Sequence, residues 1–327
     1  FVVETASERL IAYEVAIRND EGLPLALESV EWEAESFGSG TFRGAELANA
    51  TTVMPRDELD RTTDLSKWKA TTDTELHGGV VPSGQTAVVR IRAQGPKGVL
   101  KVERVSARVR GRRGDRDVDA FVASAVSKRE PLVVSAPLRG GEWVFNNWLD
   151  ATSRHMSVVV PVGGSLFVPQ RFAADIVRVA ADGRALPKAE AERDAGVSAE
   201  PARFYGWDSD VLAVRDAVVA RVRNDLPDTT RAGEADAGPS GVMTLDTVAG
   251  NFVSLDLGDG HFATYGHLRR GSVRVRAGER VQKGDVLGKL GTSGNSDVPH
   301  LHFQIGTTPE PLACDGLPFV FDTFDEA

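Results

Sequence analysis

The sequence predicts a mainly β chain built in two parts. Alternating apolar and polar runs recur through the first part, as in residues 10–17 (LIAYEVAI) and 86–91 (TAVVRI). Such alternation is the signature of half-buried strands. Turn residues close the runs at Asn19-Asp20-Glu21-Gly22 and at Pro82-Ser83-Gly84. In the second part, short β-segments are broken by glycine, most densely over residues 273–288. No sustained 3.6-residue period appears, apart from residues 56–68, where a short helix is expected to start.

Taken in order, residues 1–135 read as a β-sandwich of immunoglobulin-like type, from short strands with regular turn signals. A linker is expected over residues 136–154, opened by Ser135-Ala136-Pro137 and Gly140-Gly141. Residues 155–327 form the second part. It begins with an apolar strand at 156–162, a tight hairpin at Gly163-Gly164 and a return strand at 165–172. Residues 211–220 are a further apolar stretch. Two insertions rich in Pro, Ala, Asp and Gly, 181–203 and 223–242, read as surface loops.

Composition narrows the function. With 327 residues the chain has room for two domains. Its net charge of −9 argues against nucleic acid as a partner. One cysteine, Cys314, excludes an intrachain disulfide and a Cys-based zinc site. No run of about 18 apolar residues is present, so no transmembrane segment is expected in this chain. The first residue is Phe1 and not Met, so a signal peptide or membrane anchor is expected upstream, with an extracytoplasmic location.

The richest stretch is Pro299-His300-Leu301-His302-Phe303, in a segment that reads as a strand. Side chains two apart on a strand share a face, so His300 and His302 are expected in one pocket. Histidine suits both metal binding and proton transfer near neutral pH. Upstream stand Tyr265-Gly266-His267-Leu268 and the alternating run 250–260, from Gly250-Asn251 to Gly258-Asp259-Gly260.

Together these pieces resemble the LytM/lysostaphin-type zinc endopeptidases. That family shows G-N-x-V-x-I-D-x-G-x-G, Y-x-H-L, a V-x-x-G-x-x-V-x-x-G-x-x-[IL]-G run, G-x-S-G-x-S and P-H-L-H-F, in this order. The resemblance covers residues 155 to 306. It implies a LytM-type β-sheet core, of barrel-sandwich hybrid kind, and activity on peptide cross-links of peptidoglycan. It also implies zinc as cofactor, with Asp175 and His302 as two ligands and His267 and His300 as the non-ligand catalytic histidines.

One position departs from the pattern. Where the family has H-x-G-x-D, this chain has Arg171-Phe172-Ala173-Ala174-Asp175. Arg171 stands at the first ligand position, and a guanidinium has no lone pair to give. The expectation is an Arg171–Asp175 ion pair and a degraded zinc site, in a module that binds peptidoglycan peptide or regulates an envelope hydrolase. The alternative is an active zinc endopeptidase with an unusual ligand set. If the Gly163-Gly164 hairpin extends so that position 155 faces 172, a slip of one residue would let His155 replace the missing donor. A third reading, a biotinyl or lipoyl carrier, requires a lysine at a hairpin tip, and Lys283 and Lys289 do not read as tips.

Overall fold

The computed structural model describes residues 2–4, 8–36, 40–45, 52–54, 80–96, 102–126, 130–148, 153–189, 199–232 and 243–322. The helix expected at 56–68 lies outside them, as do 190–198 and 233–242 of the two predicted loops. The described residues divide into two compact units, one up to residue 130 and the other from residue 131 onward.

The N-terminal unit holds β1 (Val2–Glu4), β2 (Glu8–Arg18), β3 (Leu25–Ser36), β4 (Gly40–Ala45), β5 (Thr52–Met54), β6 (Val80–Val81), β7 (Thr86–Pro96), β8 (Val102–Arg113) and β9 (Arg116–Ala125). They form two antiparallel sheets, ordered β1-β2-β7-β5 and β4-β3-β8-β9, with β6 paired to β3. Alternation supplies the core between them. Val15 and Ile17 of β2 and Val89 of β7 pack with Val30 and Trp32 of β3 and Val109 of β8.

The C-terminal unit holds β10 (Leu132–Val134), β11 (Glu142–Asn146), β12 (Val160–Val162), β13 (Ser165–Phe167), β14 (Ala174–Val179), β15 (Asp210–Leu212), β16 (Ala217–Arg223), β17 (Asn251–Asp256) and β18 (Phe262–Leu268). It continues with β19 (Arg280–Val281), β20 (Val286–Lys289), β21 (Leu301–Gly306), β22 (Gly316–Leu317) and β23 (Phe319–Phe321). The main sheet runs β11-β14-β21-β18-β17-β16-β19, with β22 beside β21. Strand β21 is buried along its whole length. Leu301, Phe303 and Ile305 alternate with His302 and Gln304, so its faces differ in chemistry. Phe303 packs on Tyr265 at 5.2 Å between ring centroids. Small sheets complete the unit: the β12–β13 hairpin, the β15–β20 pair and a parallel pair of β10 with β23.

Three expectations are corrected. The stretch 136–154 is not a bare linker, because β11 within it pairs antiparallel with β14 over five residue positions. Residues 156–162 are not one strand: a single 3-10 turn, Arg154–Ser157, precedes the three-residue β12. The hairpin pairs Val162 with Ser165 as its turn requires, but pairing ends at Val160 and Phe167. It therefore never reaches His155.

Candidate metal centre and catalytic cleft

Sheet register brings the chemistry together. Asp175 on β14 lies opposite His302 on β21, and His302 lies opposite Gly266 on β18. On the other side of β14, Asn146 of β11 faces Asp175. A side chain at position 266 would press against His302 Cβ at 3.3 Å and the Ala249 carbonyl at 3.2 Å, so glycine leaves room for the imidazole.

His267 reaches the cleft by a different device. Simple alternation would turn it to the same face as the core residue Tyr265. Between β17 and β18, however, Asn251 pairs with Leu268 and Val253 with Tyr265, so β18 carries one extra residue. His267 takes up that bulge with φ +60°. A bulge re-aims the side chain it carries. The ring is held by an Nδ1–H bond to the Ser293 carbonyl at 2.8 Å. Beside it, Gly250 (φ +67°) lies so close to Ser293 that no Cβ fits there.

The cleft thus formed has a volume of about 270 Å³ and is lined by Asp175, His155, His267, His300 and His302, among others. His155, Asp175 and His302 each offer a ligand atom, and these atoms lie within 4.8 Å of one another. His155 Nε2 is 3.2 Å from Asp175 Oδ2, and His302 Nδ1 is 3.1 Å from Oδ1. His300 Nε2 is 3.4 Å from Oδ1. Asn147 Nδ2 donates to Oδ2 at 3.0 Å. The expected Arg171–Asp175 pair is replaced by these contacts. Arg171 is buried in the turn before β14, but the groups holding the carboxylate are the three histidines and Asn147.

The outer nitrogens fix the tautomers. His155 Nδ1 meets the Ala173 carbonyl at 3.2 Å, which can only accept, so Nδ1 carries the proton. Gln304 Nε2 donates to the Pro311 carbonyl at 2.8 Å, which turns its Oε1 to His302 Nε2 at 2.9 Å. That ring nitrogen is therefore the protonated one. Both imidazoles direct their remaining nitrogen at a carboxylate, so two lone pairs and an anion face one another. Such a set is satisfied by a cation between the donors or by added protons. The N, N, O donor set with an open cleft beside it suits zinc.

The charges follow the same logic. Burial would raise the Asp175 carboxyl, but His300, His155 and His302 outweigh it and hold it far below the usual carboxylate range. Burial and the neighbouring His300 and His302 push His267 well below its ordinary value, so it stays neutral. His300 is driven the other way: burial opposes its charge, yet Asp175 and the Val298 carbonyl raise its pKa. The His267 and His300 rings lie 4.7 Å apart. Gln304 was findable in the sequence, being two residues after His302 on a strand; Asn147 carried no signal. Lys283 and Lys289 are ion-paired to Asp322 and Asp210, at 2.7 and 2.9 Å.

Fold and site together define a β-rich metallopeptidase-type domain. Residues 207–313 match the model of Peptidase family M23. Over 91 residues the chain is 36% identical to Endolysin 2638A of Staphylococcus phage 2638A, covering 27% of this chain and 18% of that protein. Over 74 residues it is 40% identical to the glycyl-glycine endopeptidase ALE-1 of Staphylococcus capitis, covering 22% and 20%. The chain thus spans about a fifth of the length of these curated relatives. Among solved structures, the catalytic domain of the prophage-encoded M23 protein EnpA from Enterococcus faecalis aligns at 18% identity and a TM-score of 0.25, covering 36% of this chain and 75% of that one. Within the C-terminal unit, residues 207–313 are thus similar to Peptidase family M23, with lysostaphin-type enzymes among the relatives. The matched span begins after His155 and Asp175, so both lie outside it.

Proposed function

We propose that the C-terminal unit is a zinc-dependent endopeptidase that acts outside the cytoplasm on peptide cross-links of peptidoglycan, with His155 serving where the family pattern has its first histidine. The observation that carries this reading is the convergence of His155, Asp175 and His302 with both imidazole tautomers set from outside. Zinc held by these three would polarise a scissile carbonyl and make a water acidic. His267, neutral and with Nε2 turned from its Ser293 bond, accepts the proton of the attacking water. His300, favoured as a cation, donates to the developing oxyanion or to the leaving amine. The oppositely displaced pKa values of this pair support the division of roles. The relatives named as an endolysin and a glycyl-glycine endopeptidase support a wall peptide as substrate. No helix among the described residues is long and apolar enough to cross a membrane.

A second reading rests on Arg171 at the first ligand position and on an Asp175 carboxylate already contacted by four protein groups. It makes the cleft a binding surface for wall peptide or for an envelope hydrolase. Zinc content and hydrolysis of purified peptidoglycan decide between them. The enzyme reading expects roughly one zinc per chain, with cleavage abolished by chelator and by His302→Ala. A metal-free, inactive chain that still binds wall fragments would establish the second. For the N-terminal unit, the orders β1-β2-β7-β5 and β4-β3-β8-β9 support an immunoglobulin-like reading, as strands A-B-E-D and C′-C-F-G.

A further inference from the structure

Resting on the zinc reading above, we propose that Asn147 is the positioning residue of the metal carboxylate. The residue directly follows β11, and its place is set from both sides. The preceding Asn146 is in register with Asp175. Asn147 itself adopts φ +51°, a left-handed conformation that side chains other than glycine adopt at a cost. Buried Ser153 donates its hydroxyl to the Asn147 carbonyl at 2.6 Å and stands directly before the 3-10 turn that carries His155. Asn147 and His155 are thereby both held against one carboxylate. The Asn147 amide meets Oδ2 at 3.0 Å and the His155 ring meets the same oxygen at 3.2 Å.

The four partners of the Asp175 carboxylate are not equivalent. Three are imidazole nitrogens, which can give up a proton and turn a lone pair to a cation. The Asn147 amide nitrogen can only donate. When a cation takes its place among the histidines, the amide bond is the contact that persists unchanged. It fixes the rotation of the carboxylate and keeps one oxygen occupied, leaving the other for the ion. Partners of this kind commonly contribute ~10–100-fold to metal affinity. The left-handed backbone explains how the amide is aimed inward at the end of an edge strand.

The left-handed φ also provides a clean test, because glycine adopts it without strain. Zinc affinity is measured on the full chain by competition with a chromogenic chelator, alongside the melting temperature of each metal-free protein and the visible spectrum of its cobalt form. Asn147→Gly should bind zinc ~10–100-fold more weakly and alter the cobalt spectrum, with the metal-free protein still melting cooperatively as a folded chain. Asn147→Ala, which also removes the amide donor but keeps a side chain, should weaken zinc to a similar degree. It provides the reading if the glycine variant proves unstable. Zinc affinity equal to wild type in a folded variant overturns the role of Asn147 and leaves the zinc centre standing. A wild-type chain that binds no zinc overturns the centre and this role with it.

Discussion

The imidazole of His155 stands 3.2 Å from the Asp175 carboxylate, while Arg171, four positions ahead of that aspartate, is not among the groups that hold it. In the zinc reading proposed above, the third donor comes from a separate turn and not from position 171. The expected consequence is that His155→Ala lowers zinc affinity by more than the ~10–100-fold typical of outer partners. Arg171→His should add little to the native chain, yet restore binding in the His155→Ala background. Titration of the single and double variants checks this through their non-additivity. Rescue that fails would place the local backbone at 171 out of reach of the ion.

Gln304 is nearly fully buried and joins His302 to the Pro311 carbonyl. Replacing it with Leu leaves the His302 Nε2–H without a partner and the Pro311 carbonyl with only the Cys314 thiol, at 3.7 Å. Each buried unsatisfied group costs about 1–3 kcal/mol. Gln304→Leu should therefore lower the urea midpoint and also weaken zinc by ~10-fold or more, since the His302 tautomer is no longer held.

Tyr265 tests the core beneath the cleft. Its ring is fully buried against Phe303, and its hydroxyl oxygen accepts the Val214 N–H at 3.0 Å. Tyr265→Phe keeps the ring and strands one buried N–H. Denaturant unfolding should show a loss of about 1–3 kcal/mol, with zinc affinity unaffected.

Cys314 provides a pH-dependent readout. Burial, with the nearby Asp315 charge, pushes its thiol from an ordinary 9.0 up to about 12. The native chain keeps this proton where the unfolded chain has lost it. The group's contribution to stability is therefore intact below pH 9.0 and declines as pH rises toward 12. The slope should reach about 1.4 kcal/mol per pH unit. Urea melts of Cys314→Ala over this range should show the slope removed. At pH 8 a thiol reagent should label the folded chain slowly and the unfolded chain at once.

How much of this was legible in the sequence follows from the physics of each element. Strand β21 could be read directly, because period-two alternation puts His302 and Gln304 on one face and Phe303 on the other. The nearness of Asp175 to His302 came from the family pattern, and the register of β14 against β21 gives its cause. His267 could be named but not aimed: alternation points it into the core, and only the bulge at φ +60° turns it around. His155 was foreseen as a substitute through an extended hairpin. It arrives instead on a 3-10 turn pinned by Ser153, whose hydroxyl bonds back to the Asn147 carbonyl six residues earlier in a contact that no strand or helix period encodes. Strand β11 was hidden for a similar reason, since Gly140-Gly141 ahead of it reads as a breaker.

The parallel pairing of β10 with β23 sets Leu132 beside Phe319 and Val134 beside Phe321. Residues 132–134 and 319–321, near the two ends of the stretch 130–322, therefore share one edge. A peptide joining them need only retrace three residues of strand, roughly 10 Å. The unit has the geometry of a cassette. Cutting the chain before Phe319 would strip β10 of its partner and loosen the stretch that leads to β11 and Asn147.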